Sequence, residues 1–185
     1  MSFITIFLIK VYPDFSFFII CCQQANKGND NMKNKNIFTK SEIDCLDEAK
    51  FVHPFNEKAI RNTKSIGDLA GLSKIGIHLV RVEPGDETTQ HHNHERSDEF
   101  VYILSGTAML ELGDETHDLS AGDFVGFPAN GAAHSMKNTG SSDFVYLMGG
   151  NRVDTDCCNY PRINTRLFKV NGRNESVDMS QLSKV

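Results

Sequence analysis

An all-β sandwich or barrel is the fold class this sequence predicts, and three observations predict it. From Ile75 onward the apolar pattern loses any helical period and breaks into short runs: "IGIHLVRV", "EFVYILS", "TAMLEL", "THDL", "DFVGF", "AHSMKN" and "DFVYLM". Each run stops at Gly, Pro, Asn or Asp, in the breaks "EPGDE", "GDE", "SAGD", "PANG" and "NTGSS". Short strands at regular spacing with turn chemistry between them are the pattern of sandwiches and barrels. Helix is confined to a minor N-terminal piece over 41–50, where Ser41 is placed to cap and Asp44, Asp47 and Glu48 crowd the early turns.

The bulk numbers set the frame for these elements. The chain has 185 residues, 39% of them hydrophobic, which is enough apolar material for one domain with a real core. A net charge of -5 with no basic stripe argues against a nucleic-acid surface. The absence of Trp argues against base stacking, while 13 Phe and 4 Tyr leave material for a small-molecule pocket. Five cysteines include the adjacent pairs Cys21-Cys22 and Cys157-Cys158. Neighbouring cysteines rarely close an unstrained disulfide, so the expectation is reduced thiols acting as small hydrophobes in a cytoplasmic protein. A redox role for Cys157-Cys158 is the alternative.

The first stretch, "MSFITIFLIKVYPDFSFFIICCQQ", is apolar but is cut by Lys10, Pro13 and Asp14 into pieces too short to span a bilayer. It lacks a clean signal-peptide layout. Residues 1–31 are expected to lie outside the fold, upstream of a working start at Met32; a weak signal or membrane-surface anchor and a packed N-terminal element are the alternatives. Residues 32–74 are expected to form an arm packing on the barrel and 75–149 the barrel itself. Residues 150–185 are expected to be partly ordered against it and then to end in a flexible tail.

Strand parity assigns faces. In "AHSMKN", His134, Met136 and Asn138 share one face, which points inward. In "EFVYIL" both faces are apolar: Glu99, Val101 and Ile103 on one, Phe100, Tyr102 and Leu104 on the other. A strand apolar on both faces must be covered twice, and "DFVYLM" repeats the pattern, which makes a homodimer the expected assembly.

The same parity divides the cluster "QHHNHERSDEF". His92 and His94 project to one face of extended chain, whereas His91 and Asn93 project to the other. Glu99 follows on the next strand, inward with Val101 and Ile103, and a buried carboxylate needs a partner. His134 supplies a further inward imidazole. Three imidazoles and one carboxylate suit Fe, Mn, Ni, Cu or Zn in divalent form, with positions left over for water or substrate. A solvent-exposed polar turn is the competing explanation for the histidines alone.

At these residues the sequence resembles the cupin superfamily. The first cupin motif is matched by Gly85, His92-Asn93-His94, Glu99 and Gly106, with one extra residue between Gly85 and His92. The second is matched by Gly122, Pro128, Gly131, His134 and Asn138, with one residue inserted between Pro128 and Gly131. The flanks "SIGDLAGLSKIGIHLVRVEPG" and "NYPRINTRLF" look like single-domain cupins often labelled sugar-phosphate-isomerase-like without proven activity. The resemblance implies a double-stranded β-helix, or jelly-roll barrel, and metal ligands at His92, His94, Glu99 and His134. It does not name a reaction, because the fold hosts isomerases, dioxygenases, decarboxylases, lyases and binding proteins.

Two functions are therefore expected to compete, with a cupin that has lost its metal as a third possibility. One is a metal-dependent enzyme that isomerises or oxygenates a small polar, sugar-like or acid-like molecule, with His78 or Tyr102 as insecure candidates for moving a proton. Tyr102 has the wrong parity relative to Glu99, and His117 falls in an exposed turn. The other is a non-catalytic binding or sensing protein; no helix-turn-helix accompanies the barrel, which disfavours a transcription factor. Asn138 is expected to be structural, and Gly106 and Gly122 sit where turns need positive φ or close packing.

Overall fold

The computed structural model describes residues 35–183, so the expectations for residues 1–31 lie outside the described residues. Along the chain come α1 (Lys40–Asp44), β1 (Ala49–His53), β2 (Asn56–Lys64), α2 (Ile66–Leu69), β3 (Ile75–Val82) and β4 (Asn93–His94). They are followed by β5 (Glu99–Ser105), β6 (Thr107–Leu112), β7 (Glu115–Ser120), β8 (Phe124–Phe127) and β9 (His134–Asn138). The last strands are β10 (Phe144–Asn151), β11 (Thr155–Tyr160), β12 (Thr165–Val170) and β13 (Arg173–Asp178). All seven runs picked out by alternation and turn chemistry lie on strands.

The helix is where the sequence expectation needs correction. It spans Lys40–Asp44, and Lys50 already belongs to β1. Its cap is Thr39 rather than Ser41: the Thr39 hydroxyl accepts from the Glu42 amide and the Glu42 carboxylate accepts from the Thr39 amide, a capping box. Five strands also arise outside 75–149, namely β1, β2, β11, β12 and β13. Segments such as "NEKAIRNTK" and "RNESVD" carry little apolar material, so only their sheet partners hold them extended.

The strands form a six-stranded sheet in the order β1-β2-β3-β10-β5-β8, a four-stranded sheet β13-β12-β11-β4 and a three-stranded sheet β7-β6-β9. The main core joins the first and third of these, through Val80, Val101, Ile103, Leu110, Phe127, Met136, Phe144 and Tyr146. Burying such side chains contributes about 1.5–3 kcal/mol each. A second cluster, Cys158, Tyr160 and Leu167 with Phe55 against it, fastens the four-stranded sheet to the β1–β2 turn.

On β5 the inward face is buried as parity requires, while Tyr102 and Leu104 on the other face are 42% and 46% exposed. With Phe124 at 64% they form an open apolar patch on this single chain. Gly106, between β5 and β6, has φ +80°, and a Cβ there would stand 2.4 Å from the Asp143 carbonyl oxygen. That turn therefore admits only glycine without a backbone shift. Among the described residues no helix is long and apolar enough to cross a membrane.

Candidate metal centre

The path of the chain from Gln90 to Glu99 sets the geometry of the histidine cluster. His92 forms an isolated bridge with His134 of β9, each backbone N–H donating to the other's carbonyl at 3.1 and 2.7 Å. Two residues on, His94 pairs with Cys158 of β11. The segment "ERSD" then turns the chain into β5, which begins at Glu99 beside Phe127 and Gly150. Three sheets thus meet where these side chains point.

Glu99, only 8% exposed, is the hub. Its carboxylate oxygens lie 3.9 Å from His92 Nε2, 3.6 Å from His94 Nε2 and 3.7 Å from His134 Nε2. These separations exceed hydrogen-bond length. Two donors each ~2.1 Å from a shared ion stand roughly 3–3.5 Å apart, so each histidine stands a few tenths of an ångström beyond that from Glu99. His92, Glu99 and His134 offer ligand atoms all within 4.8 Å of one another, and His94 does so with His92 and Cys158. All four residues expected from the sequence are brought together.

Neighbouring groups aim the rings. His94 Nδ1 lies 2.6 Å from Asp156 Oδ2, which directs Nε2 towards Glu99. His92 Nδ1 lies 3.0 Å from the Gln90 carbonyl oxygen, which does the same for its ring, and Tyr160 stacks on it. His134 stacks face to face on Phe127 with centroids 3.6 Å apart. A hydrogen-bonded far nitrogen with the near one aimed inward is how ligating histidines are held.

The charges support the same arrangement. Burial, reinforced by His134 and His94, holds His92 well below the ordinary imidazole range, so it stays neutral with a lone pair to offer. Burial lowers His94 as well, but Glu99 and Asp156 outweigh it and the net shift is upward. Burial alone would raise Glu99, yet His94 and His134 hold it below the ordinary carboxylate range. A buried anion surrounded by three imidazoles, two of them oriented through their far nitrogens, is a donor set that fits a divalent ion such as Fe, Mn, Ni, Cu or Zn.

Above the cluster lies a small cavity of about 30 Å³, lined by Arg61, Thr88, Thr89, His92, Glu99, Phe100, Val101, Phe127, His134, Met136, Tyr146 and Met148. The two candidates for moving a proton are absent from this lining. Tyr102 is on the outer face of β5, and His78 is buried against the Ser65 hydroxyl 3.0 Å away, its imidazole pushed down to about 4 by burial. His117 is exposed beside Glu115, but it lies within β7 opposite Leu110 and not in a turn. Asn138 is fully occupied with backbone: its amide nitrogen donates to the Val82 and Ser142 carbonyls and its oxygen accepts from the Gly140 amide. His91 points away from the cluster but is buried, with Nδ1 3.2 Å from the Ser135 hydroxyl.

Sequence reasoning missed Asp156, Arg61 and Thr89. Asp156 and Cys158 fall on one face of β11 with Tyr160, and Cys158 offers its sulfur within 4.8 Å of ring nitrogens of His92 and His94. Only the D-x-C-x-Y alternation in "TDCCNY" signalled this. Cys157 and Cys158 project to opposite faces and are both free thiols; burial pushes the Cys158 thiol well up, so it is held protonated.

This architecture matches that of known proteins. The cupin domain family profile matches residues 78–150. A candidate sugar phosphate isomerase of Acidithiobacillus ferrooxidans, known from its crystal structure, is 40% identical, with 82% of this chain and 97% of that one covered and a TM-score of 0.80. Protein SchB of Streptomyces halstedii is 31% identical over 50% of this chain and 64% of its own length. The oxalate-binding protein of Thermotoga maritima is 32% identical over 41% of this chain and 67% of its own. The chain spans less than two thirds of the length of the first curated relatives it matches. The chain belongs to the cupin superfamily, and its fold is the double-stranded β-helix of that superfamily. Within it, the chain is similar to two proteins of known structure described as sugar phosphate isomerases, the second from Silicibacter pomeroyi at 25% identity and a TM-score of 0.66, with 75% of this chain and 89% of that one covered.

Proposed function

We propose that this cupin holds one divalent ion, of Fe, Mn, Ni, Cu or Zn, through His92, His94, Glu99 and His134, and acts on a small polar molecule, sugar-like or acid-like, by isomerisation or oxygenation. The observation that carries this reading is the Glu99 carboxylate, buried with an imidazole nitrogen of each of three histidines 3.6–3.9 Å away. When bound, such an ion polarises substrate oxygens in its remaining coordination positions. Asp156 orients His94, the Gln90 carbonyl orients His92, and Phe127, Val101 and Met136 give the cavity beside the cluster an apolar wall. The small cavity admits a ligand of few heavy atoms. The relatives named for a sugar phosphate and for oxalate support a small, polar ligand.

A second reading, non-catalytic binding or sensing, is favoured by one observation. Beyond the four ligands, the described lining contains no carboxylate, lysine or imidazole to move a proton; its remaining polar side chains are Arg61, Thr88, Thr89 and Tyr146, the last pushed up to about 12 by burial. We further infer a homodimer formed over Tyr102, Leu104 and Phe124, and a cytoplasmic setting, which the free thiols of Cys45, Cys157 and Cys158 suit.

Elemental analysis of protein purified without an affinity tag tests the metal. Close to one equivalent, falling below about a tenth in His134→Ala, is expected; less than that in the parent chain defeats the metal reading. Turnover of any compound in isomerase, oxygenase and decarboxylase assays that vanishes in Glu99→Ala selects the enzyme. Metal-linked ligand binding without turnover selects the binder.

A further inference from the structure

We propose that Arg61, with Thr89 beside the same cavity, is an anion-recognition site, and that the ligand of this centre is a small carboxylate. The proposal rests on the metal reading above and names its substrate class.

Arg61 lies on β2, in a segment that precedes the cupin domain match at 78–150. On that strand Thr63 pairs with Val80 of the core, and parity puts Arg61 on the same inward face. The side chain is only 9% exposed, and it forms no salt bridge among the described residues. Its guanidinium carbon sits 5.0 Å from the centre of the Phe51 ring, a cation–π contact that offsets part of the desolvation of a buried charge, and the group also interacts with the Tyr146 hydroxyl. The Nε–H is buried without a hydrogen-bond partner. Thr89, 5% exposed, has a hydroxyl in the same condition, whereas the neighbouring Thr88 hydroxyl is engaged with the Met136 backbone. Both unmatched groups line the cavity that contains His92, Glu99 and His134.

The charge balance points the same way. Arg61 is one of the groups that help to hold the Glu99 carboxyl down, after His94 and His134. A divalent ion at the four ligands takes up that single negative charge, leaving the ion and Arg61 together with net positive charge in a largely apolar pocket. An anion cancels it. The guanidinium fork matches a carboxylate through two parallel N–H donors, Nε–H among them, and the Thr89 hydroxyl can donate a third bond. A neutral polyol would satisfy none of this charge.

The full chain loaded with Mn(II) is titrated calorimetrically with oxalate, glycolate, inorganic phosphate and the neutral analogue glycolamide, after metal content has been measured in each variant. Expected are saturable binding of oxalate and glycolate and negligible binding of glycolamide. Arg61→Gln should weaken oxalate roughly ten- to a hundredfold with metal content unchanged. Arg61→Lys should recover part of that loss, and Thr89→Val should cost a few-fold. Unchanged oxalate affinity in both Arg61→Gln and Thr89→Val, in metal-loaded protein, overturns the anion site. Phosphate binding tenfold tighter than either carboxylate overturns the ligand class. If Arg61→Gln does not fold, Arg61→Lys and Thr89→Val decide in its place. A parent chain that retains no Mn(II) is seen before any anion is added, and it overturns the metal reading together with this inference.

Discussion

Replacing Asp156 by Asn tests how the centre is built, because the substitution keeps size and removes only charge and one acceptor. Asp156 accepts from His94 Nδ1 at 2.6 Å and the Ser97 hydroxyl at 3.0 Å through Oδ2, and from the amides of Arg96 and Cys157 at 2.9 Å each through Oδ1. A carboxamide cannot serve both sides. If its oxygen keeps the two backbone amides, its NH2 faces His94 and forces the ring proton onto Nε2, the atom aimed at Glu99. If it is turned round, the NH2 opposes two N–H donors inside a buried site. Either outcome removes a charge-assisted hydrogen bond worth about 1.5–3 kcal/mol, and supporting carboxylates of this kind are typically worth ten- to a hundredfold in metal affinity. Competition with a chelator of known affinity measures the loss directly, and thermal melts with and without added metal separate it from general destabilisation. Asp156→Asn protein that holds metal within twofold of the parent, with an unchanged metal-free melting temperature, would refute the reasoning.

Three further predictions follow from the same coordinates. Glu99→Gln should lower metal content severely, whereas His91→Ala should leave it intact but cost about 1–3 kcal/mol of stability, because His91 faces Ser135 in a buried pocket; equal metal loss in both variants defeats the face assignment. Burial depresses His53 to about 3 and His78 to about 4, so the unfolded chain binds protons that the folded chain refuses. The stability they contribute is complete above the unfolded value near 6.5 and drains away as pH falls from there towards the folded values, by on the order of 3 kcal/mol for His78. His78→Gln should flatten urea-measured stability against pH between about 6 and 4, and an unaltered slope counts against it. Gly106→Ala should cost at least about 2 kcal/mol, since it meets both a positive φ and the Asp143 carbonyl; a urea midpoint equal to the parent's rejects the close approach.

The strands of the barrel were legible because each carries its own period and its own stop signals; "IGIHLVRV" and "EFVYILS" begin and end where β3 and β5 do. The helix was given the wrong cap and carried past Asp44 as far as Lys50, since Thr39 and Ser41 are chemically alike and only the reach of Glu42 back to Thr39 distinguishes them. Strands such as β2 and β13 were invisible for the opposite reason: their residues have little preference of their own and are extended because a neighbour supplies the ladder. In the site, His92, His94, Glu99 and His134 could be singled out because parity is local. Asp156 and Arg61 could not, because nothing within their own strands says which strand will lie alongside.

Local chemistry thus determined the alternation that makes this chain a β structure, the glycine turns, and the face to which each histidine points. Tertiary structure decided the rest. It brought β9, β11 and the start of β5 together around Glu99, set Asp156 behind His94 across a gap of 62 residues, and turned a polar-looking N-terminal strand inward so that Arg61 meets the cavity. The physical reason is that a side chain's direction depends on its own backbone, whereas the charge it must balance belongs to whatever long-range pairing places beside it.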